Sequence, residues 1–238
     1  MNINPQNSPG IVTILSIDIG IKNLGLVLFE ATDDFVLKKC LRLELIDITR
    51  FHHPGGCQIC SLKHEKTICD WMSHVFLTFE DMFVECEVIL IERQPPIGLV
   101  SVEQSIFTKY RDKCHLVSPN SVHCFHAFKT RSYKKRKIMS EKLFGEFLKT
   151  RGSEGRGSEG RSSECKVLRE YQTYPRKHDL ADAYTQAAYW CAKKRKKKLH
   201  RANRIARLQR QTTYKGKRLS VGDLLEKFKY KKEKTVSE

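Results

Sequence analysis

Four carboxylates sit where a folding chain rarely leaves acids without a use. Asp18 falls near the end of the apolar run IVTILSIDI, and Glu92 closes EVILIE. Asp179 and Asp182 lie three apart in KHDLADAY, on one face of a helix. An unpaired charge inside a strand is costly. Carboxylates displayed at element ends instead form the hard oxygen set that Mg²⁺ takes. Two such ions about 4 Å apart can activate a water and stabilise the oxygen leaving a phosphodiester. Singly, an acid at a strand end is most often a loop residue, and an Asp pair in a helix most often a cap or a solvated face. The four in this order point to a two-ion site.

A second set has softer chemistry. Cys57, Cys60, His64 and Cys69 are spaced C-x2-C-x3-H-x4-C, which can close a tetrahedron around Zn²⁺. Pro54-Gly-Gly supplies a turn before it, and His52 or His53 can replace His64. With four protein ligands such a zinc is structural, not catalytic. The competing reading is reduced, unliganded thiols with Cys69 facing a helix core. A third set is basic. Lys129–Lys137 holds six Lys/Arg in nine residues, with Lys129, Arg131, Lys134 and Arg136 as candidate phosphate contacts and Tyr133 among them. Lys193–Lys198 reads KKRKKK, followed by arginines three apart. Lys193, Lys194, Arg195, Arg201 and Arg204 are the candidate backbone contacts there, along a helical stripe.

The elements that must position these groups are legible in the apolar pattern. Residues 11–19 and 24–31 read as buried strands, and 35–48 alternates as a half-buried strand does. Short turns between them make an antiparallel meander. Thr67–Phe83 has helical spacing, with Ile68, Trp71, Met72, Val75, Phe76 and Phe79 on one face. A strand at 87–92, a helix at 99–110, a strand at 113–118 and a helix at Lys135–Lys149 follow, the last with Ile138, Met139, Leu143, Phe144 and Phe147 apolar. The order to Lys149 is β-β-β-α-β-α-β-α, an α/β protein, and Lys177–Lys194 is helical again. Residues 151–164, RGSEGRGSEGRSSE, offer nothing apolar to bury and read as a flexible insertion at a surface loop.

The residues Ser16-Ile-Asp-Ile-Gly-Ile-Lys-Asn-Leu-Gly, Ile91-Glu-Arg-Gln and Asp179-Leu-Ala-Asp-Ala together resemble the RuvC-like branch of the RNase H superfamily. Within it they resemble the Holliday-junction resolvases of poxviruses and other large DNA viruses. The resemblance covers about residues 11–192, with departures at 49–66 and 150–170. It implies an RNase H-like fold, a mixed five-stranded sheet flanked by helices. It implies a homodimer that cuts four-way DNA junctions symmetrically with Mg²⁺ or Mn²⁺, two ions per site, on Asp18, Glu92, Asp179 and Asp182. It also implies a catalytic lysine before the penultimate helix. Lys134, Lys135 and Lys137 all fit, and spacing to a helix starting at 135 slightly favours Lys135. A viral setting implies work on branched or concatemeric genomes, in the nucleus or at a cytoplasmic replication site of the infected cell.

The implied organisation is a flexible 1–10, a resolvase domain at 11–192 with a zinc-knuckle insertion at 49–70 and a linker insertion at 150–170, and a basic tail at 193–238. Charge fits it. The chain has 238 residues and a net charge of +17, yet the first 182 hold 26 Lys/Arg against 23 Asp/Glu. Residues 183–222 hold 13 Lys/Arg and no acid, as a polyanion-binding segment would. No run of 18 apolar residues and no signal-peptide layout predicts a non-secreted chain with no membrane partner, and nine scattered cysteines argue against a disulfide framework. Other readings are a different RuvC-like branched-DNA nuclease with the same carboxylates, a non-catalytic zinc or DNA-binding protein needing none, and an actin-like ATPase, for which the chain is too short.

Overall fold

A computed structural model of the chain describes residues 10–51, 67–128, 132–151 and 166–214. The expected mixed five-stranded sheet is present. β1 (Ile11–Asp18), β2 (Leu24–Thr32) and β3 (Leu37–Ile46) form the antiparallel meander, and β4 (Val88–Glu92) and β5 (Cys114–Val117) add in parallel. The sheet order is β3-β2-β1-β4-β5. β1 therefore lies at the centre, between an antiparallel and a parallel neighbour.

Both sheet faces are covered, which is why β1 reads as apolar throughout rather than alternating. One face carries Leu15, Ile17, Leu26, Ile89 and Ile91 against α1 (Ile68–Thr78), α2 (Glu80–Glu85) and α3 (Val100–Lys109). The other carries Ile14, Val27, Phe29 and Leu90 against α5 (Tyr133–Arg151), α6 (Lys166–Thr173) and α7 (Lys177–Tyr214). Phe144 of α5 stacks on Tyr184 of α7 with ring centroids 5.0 Å apart and meets Tyr171 of α6 edge-on at 4.9 Å. These rings fix α5 beside α7 over the same face of the sheet.

Four local expectations need correction. The predicted helix Thr67–Phe83 is two helices, because Phe79 leaves helical geometry (φ −115°, ψ 28°) between α1 and α2. Thr67 caps α1, its hydroxyl accepting from the Asp70 amide and the Asp70 carboxylate accepting from the Thr67 amide. A short helix, α4 (Pro119–Phe125), follows β5, with Pro119 at its first turn where the missing N–H is harmless. α6 starts inside the predicted 150–170 insertion and runs past its end, and residues 152–165 are outside the described residues. α5 starts at Tyr133 instead of 135, and Ile138 and Met139 are exposed while Phe144, Phe147 and Leu148 are buried.

The chain divides into a unit ending at Ala192 and a second beginning at Lys193. The second is helical to Tyr214, with Arg195, Arg201 and Arg204 exposed. Among the described residues no helix is long and apolar enough to cross a membrane.

Candidate active site

Strand alternation decides which way each acid points. Ile14 faces the α5–α7 side and Leu15 the other, so Ser16 and Asp18 share the face of Ile14. In β4, Leu90 faces α5–α7 while Ile89 and Ile91 face away, which puts Glu92 on the same face as Asp18. The parallel register pairs Ile17 with Ile91, so Asp18 and Glu92 stand side by side at the strands' C-terminal ends.

α7 brings the next two acids because one glycine lets it approach. Gly25 of β2 pairs with Asp18, and a Cβ built on it would lie 3.0 Å from the carbonyl oxygen of Asp179. Gln186, one helical stretch further on, is buried and donates from Nε2 to Ser16 Oγ (3.1 Å) and the Ile17 carbonyl (3.3 Å). These contacts pin α7 to β2 and β1 on either side of Asp182. Asp18, Glu92, Asp182, Pro119, Val122, His123, Thr185 and Gln186 then line one open cleft. His126 holds its wall by a 2.9 Å contact from Nε2 to the Thr185 carbonyl.

The charges in the cleft answer one another. Asp18 is held well above the usual carboxylate range, first because surrounding protein removes its water, then because of Asp182 and a hydrogen bond with Glu92. Lys137 forms an ion pair with Asp182 and reaches to 3.9 Å from Asp179 Oδ1. Burial disfavours the Lys137 ammonium, yet Asp182 and Asp18 more than offset this and hold it above its ordinary value. Burial lowers His123, with Arg136 adding to the effect.

Asp179 is placed differently. It is buried beside the cleft and does not line it. Its Oδ2 accepts from Arg176 Nε at 2.8 Å, and its Oδ1 lies 3.2 Å from His178 Nε2. So the structure gathers three of the four predicted acids around the cleft and sets the fourth against it, behind an arginine.

Of the three candidate lysines, Lys137 reaches the acids. Lys134 and Lys135 are exposed, so the slight preference that spacing gave Lys135 is not met. With α5 starting at Tyr133, Lys137 is two turns before Phe144 on the packed face, and Lys135 is on the opposite side. Arg136 is half-buried, its guanidinium 6.0 Å from the Tyr133 ring. Lys129 and Arg131 lie outside the described residues, as do Cys57, Cys60 and His64. Cys69 is exposed in the first turn of α1, its thiol 3.7 Å from Ser105 Oγ. Sequence reasoning passed over Gly25, Gln186, Arg176 and His123. Gly25 and Arg176 each left a signal: a glycine inside a strand marks close approach, and a cation three residues before an Asp forms an i,i+3 pair.

The donor set suits a hard divalent cation: carboxylate oxygens from β1, β4 and α7, with Lys137 supplying a positive charge among them. Among the described residues no three His, Cys, Asp or Glu side chains are yet grouped as ligands of one ion. Lys137 and Arg176 occupy the carboxylates of α7 that such an ion would take.

The fold recurs in solved structures. The Fowlpox virus resolvase, crystallised with its substrate Holliday junction DNA, is 19% identical over 76% of this chain and 98% of its own, with a TM-score of 0.50. The yeast mitochondrial Holliday junction resolvase Ydc2 is 19% identical over 80% of this chain and 83% of its own, with a TM-score of 0.54. At such identities the likeness speaks for the RNase H-like fold. No curated protein matches in sequence. The model of the Poxvirus A22 protein family matches residues 12–193. That span runs from β1 through every residue that builds the cleft, and the chain belongs to the poxvirus A22 protein family.

Proposed function

We propose that the chain is a metal-dependent endonuclease that resolves four-way DNA junctions by paired, symmetric phosphodiester hydrolysis. One observation carries this beyond family membership. Acids from two parallel strand ends and one helix converge on a single open cleft, with Lys137 balanced against them. A binding protein gains nothing from repelling carboxylates in a DNA-facing cleft, whereas phosphodiester hydrolysis needs them. The Fowlpox virus relative takes a Holliday junction as its substrate, which supports the same substrate here.

Asp18, Glu92 and Asp182, with Asp179, would hold two Mg²⁺ or Mn²⁺ ions, which supply a nucleophilic water and charge stabilisation at the leaving oxygen. Gly25 and Gln186 fix α7 at the distance the acids require. Lys137 offsets negative charge at the scissile phosphate once it leaves Asp182. Arg136, Lys134, Lys135 and the basic residues 193–204 grip backbone phosphates without reading sequence, which suits recognition of a junction's shape. The products would be a 5′-phosphate and a 3′-hydroxyl. A two-fold junction calls for a two-fold dimer with one cleft per chain. The chain's work would be the separation of branched or concatemeric viral genomes, wherever they replicate in the infected cell. A structural Zn²⁺ on Cys57, Cys60, His64 and Cys69 belongs to the same proposal.

The test is cleavage of a labelled four-way junction beside linear duplex, flap and single strand, with Mg²⁺ and with EDTA. Paired nicks on the junction alone, lost in EDTA and in Asp182→Asn, are expected. Tight binding without cutting in any divalent metal would refute the enzyme.

A further inference from the structure

Asp179 cannot serve a cation as it stands. Its side chain is 8% exposed, and one oxygen is held by Arg176 Nε at 2.8 Å. The other faces His178 Nε2 at 3.2 Å and Lys137 Nζ at 3.9 Å. His178 is a weaker holder than it looks. Its Nε2 is also 3.1 Å from Arg176 Nη2, and one ring nitrogen can accept from the guanidinium or donate to the carboxylate, not both. Its Nδ1 leans on Glu141 at 3.5 Å. The unambiguous tie is the charge-assisted bond from Arg176, whose own affinity for its proton is raised chiefly by that bond.

Arg176 differs from its acceptor in one respect. Its side chain is 47% exposed, just ahead of α7, and so open to a phosphate arriving from solvent. A phosphate diester offers a guanidinium the same planar pairing as a carboxylate. We propose that Arg176 is a substrate-released latch: it keeps Asp179 from the cation site in the DNA-free protein and surrenders it when a DNA phosphate takes the guanidinium. The idea rests on the metal-dependent reading above and adds an order to it. Asp182 lines the cleft and its side chain is 28% exposed, so an ion entering from solvent can displace Lys137 from it; Asp18, Glu92 and Asp182 then take one ion without DNA, and the second ion waits for the junction. Free protein would then hold an incomplete site, and linear DNA that does not reach Arg176 would not complete it. Arg176 is thus a positioning residue acting through Asp179.

The test counts bound Mn²⁺ per chain by electron paramagnetic resonance on the full-length protein. Wild type without DNA should bind one ion, and two with a phosphorothioate-protected four-way junction. Arg176→Ala should bind two without DNA, its second ion tighter than in wild type by about tenfold or more, the scale of one charge-assisted bond. Asp179→Asn should stay at one ion with or without the junction. Arg176 is exposed, so the alanine variant should fold despite losing its bond to Asp179, and a single cooperative melting transition will confirm it. Two ions in free wild type, or one in Arg176→Ala, would overturn the latch and leave the metal reading intact. No Mn²⁺ in any sample would overturn both.

Discussion

Gly25→Ala should slow cleavage about 5–10-fold and lower stability by a small amount. The new Cβ would stand 3.0 Å from the Asp179 carbonyl oxygen and 3.2 Å from its carbon, where ordinary contact begins at 3.4 Å. Both obstructing atoms are backbone, so no side chain can swing aside. The first turn of α7 must retreat by about 0.4 Å, the difference between those distances. The cost in folding is small because two effects oppose. Overpacking costs about 1–3 kcal/mol, and replacing a strand glycine by alanine returns about 0.5–1 kcal/mol. A net loss of about 1 kcal/mol lowers the melting temperature by about 2–4 °C. The cost in catalysis is larger in proportion. A 1 Å misplacement can cost about 100-fold, so 0.4 Å at Asp179 and Asp182 predicts about a 5–10-fold slower cut. Gly25→Val, with two more methyls facing the same carbonyl, should lose about 100-fold or more. The assay is single-turnover cleavage of a labelled junction with protein in excess, which separates chemistry from product release, beside junction affinity by fluorescence anisotropy. A Gly25→Ala protein that binds and cuts like wild type would refute the claim that this strand seats α7.

Three further outcomes follow from the same geometry. Asp18→Asn should abolish cleavage but raise the melting temperature in EDTA. The folded value of Asp18 is raised, so its stabilising contribution is complete below its ordinary 3.8 and is lost as pH climbs through the raised value. Melting curves of the metal-free protein from pH 4 to 8 should fall with pH in wild type and fall less in the variant. Lys137→Met should slow cutting about 10²–10³-fold, the scale of one charge stabiliser. It should also destabilise the metal-free protein by about 2 kcal/mol, between the exposed and fully buried limits for a broken ion pair. Denaturant titration in EDTA checks the second figure. Thiol modification of purified protein should release about one zinc per chain, read with a colorimetric chelator, because a closed Cys3His site holds one ion; absence of zinc would return Cys69 to an ordinary exposed thiol.

Two of the four acids were legible because each breaks a pattern that is otherwise apolar. Asp18 and Glu92 end runs that only a doubly covered sheet would bury, and the pleat alone puts them on one face. The lysine was harder because its helix was started two residues late. Started at 135, the helix leaves the cluster looking like a flank, and only the burial of Phe144 two turns on shows that Lys137 shares the packed face. Ile138 and Met139 misled for the same reason, being apolar yet off the packed face. α4 and α6 were missed because both are short, and α6 follows directly on a repeat with no apolar residue. Gly25 and Gln186 act through tertiary distance, which no local pattern reports. Arg176 is a local i,i+3 pair and was within reach, but a single surface-looking cation before a helix does not announce that its partner is buried.

The carboxylates have separate local reasons to be where they are, and only the site makes them repel. Asp18 and Glu92 are set by strand register. Asp179 sits in the first turn of α7, where a helix welcomes an acid, and Asp182 follows one turn on. Burial first and the neighbouring acids second raise Asp18, and the acids draw in Lys137, so the metal-free protein bears a cost that function requires. This separates a ligand from a seat by experiment. At a ligand such as Asp18, a neutral isostere removes repulsion, so stability rises as activity disappears. At a seat such as Gly25 the added atom strains the same helix that it displaces, so stability and activity fall together. If the two positions moved in the same sense, the cleft acids would not be paying a mutual repulsion, and the case for a cation held between them would fail with it.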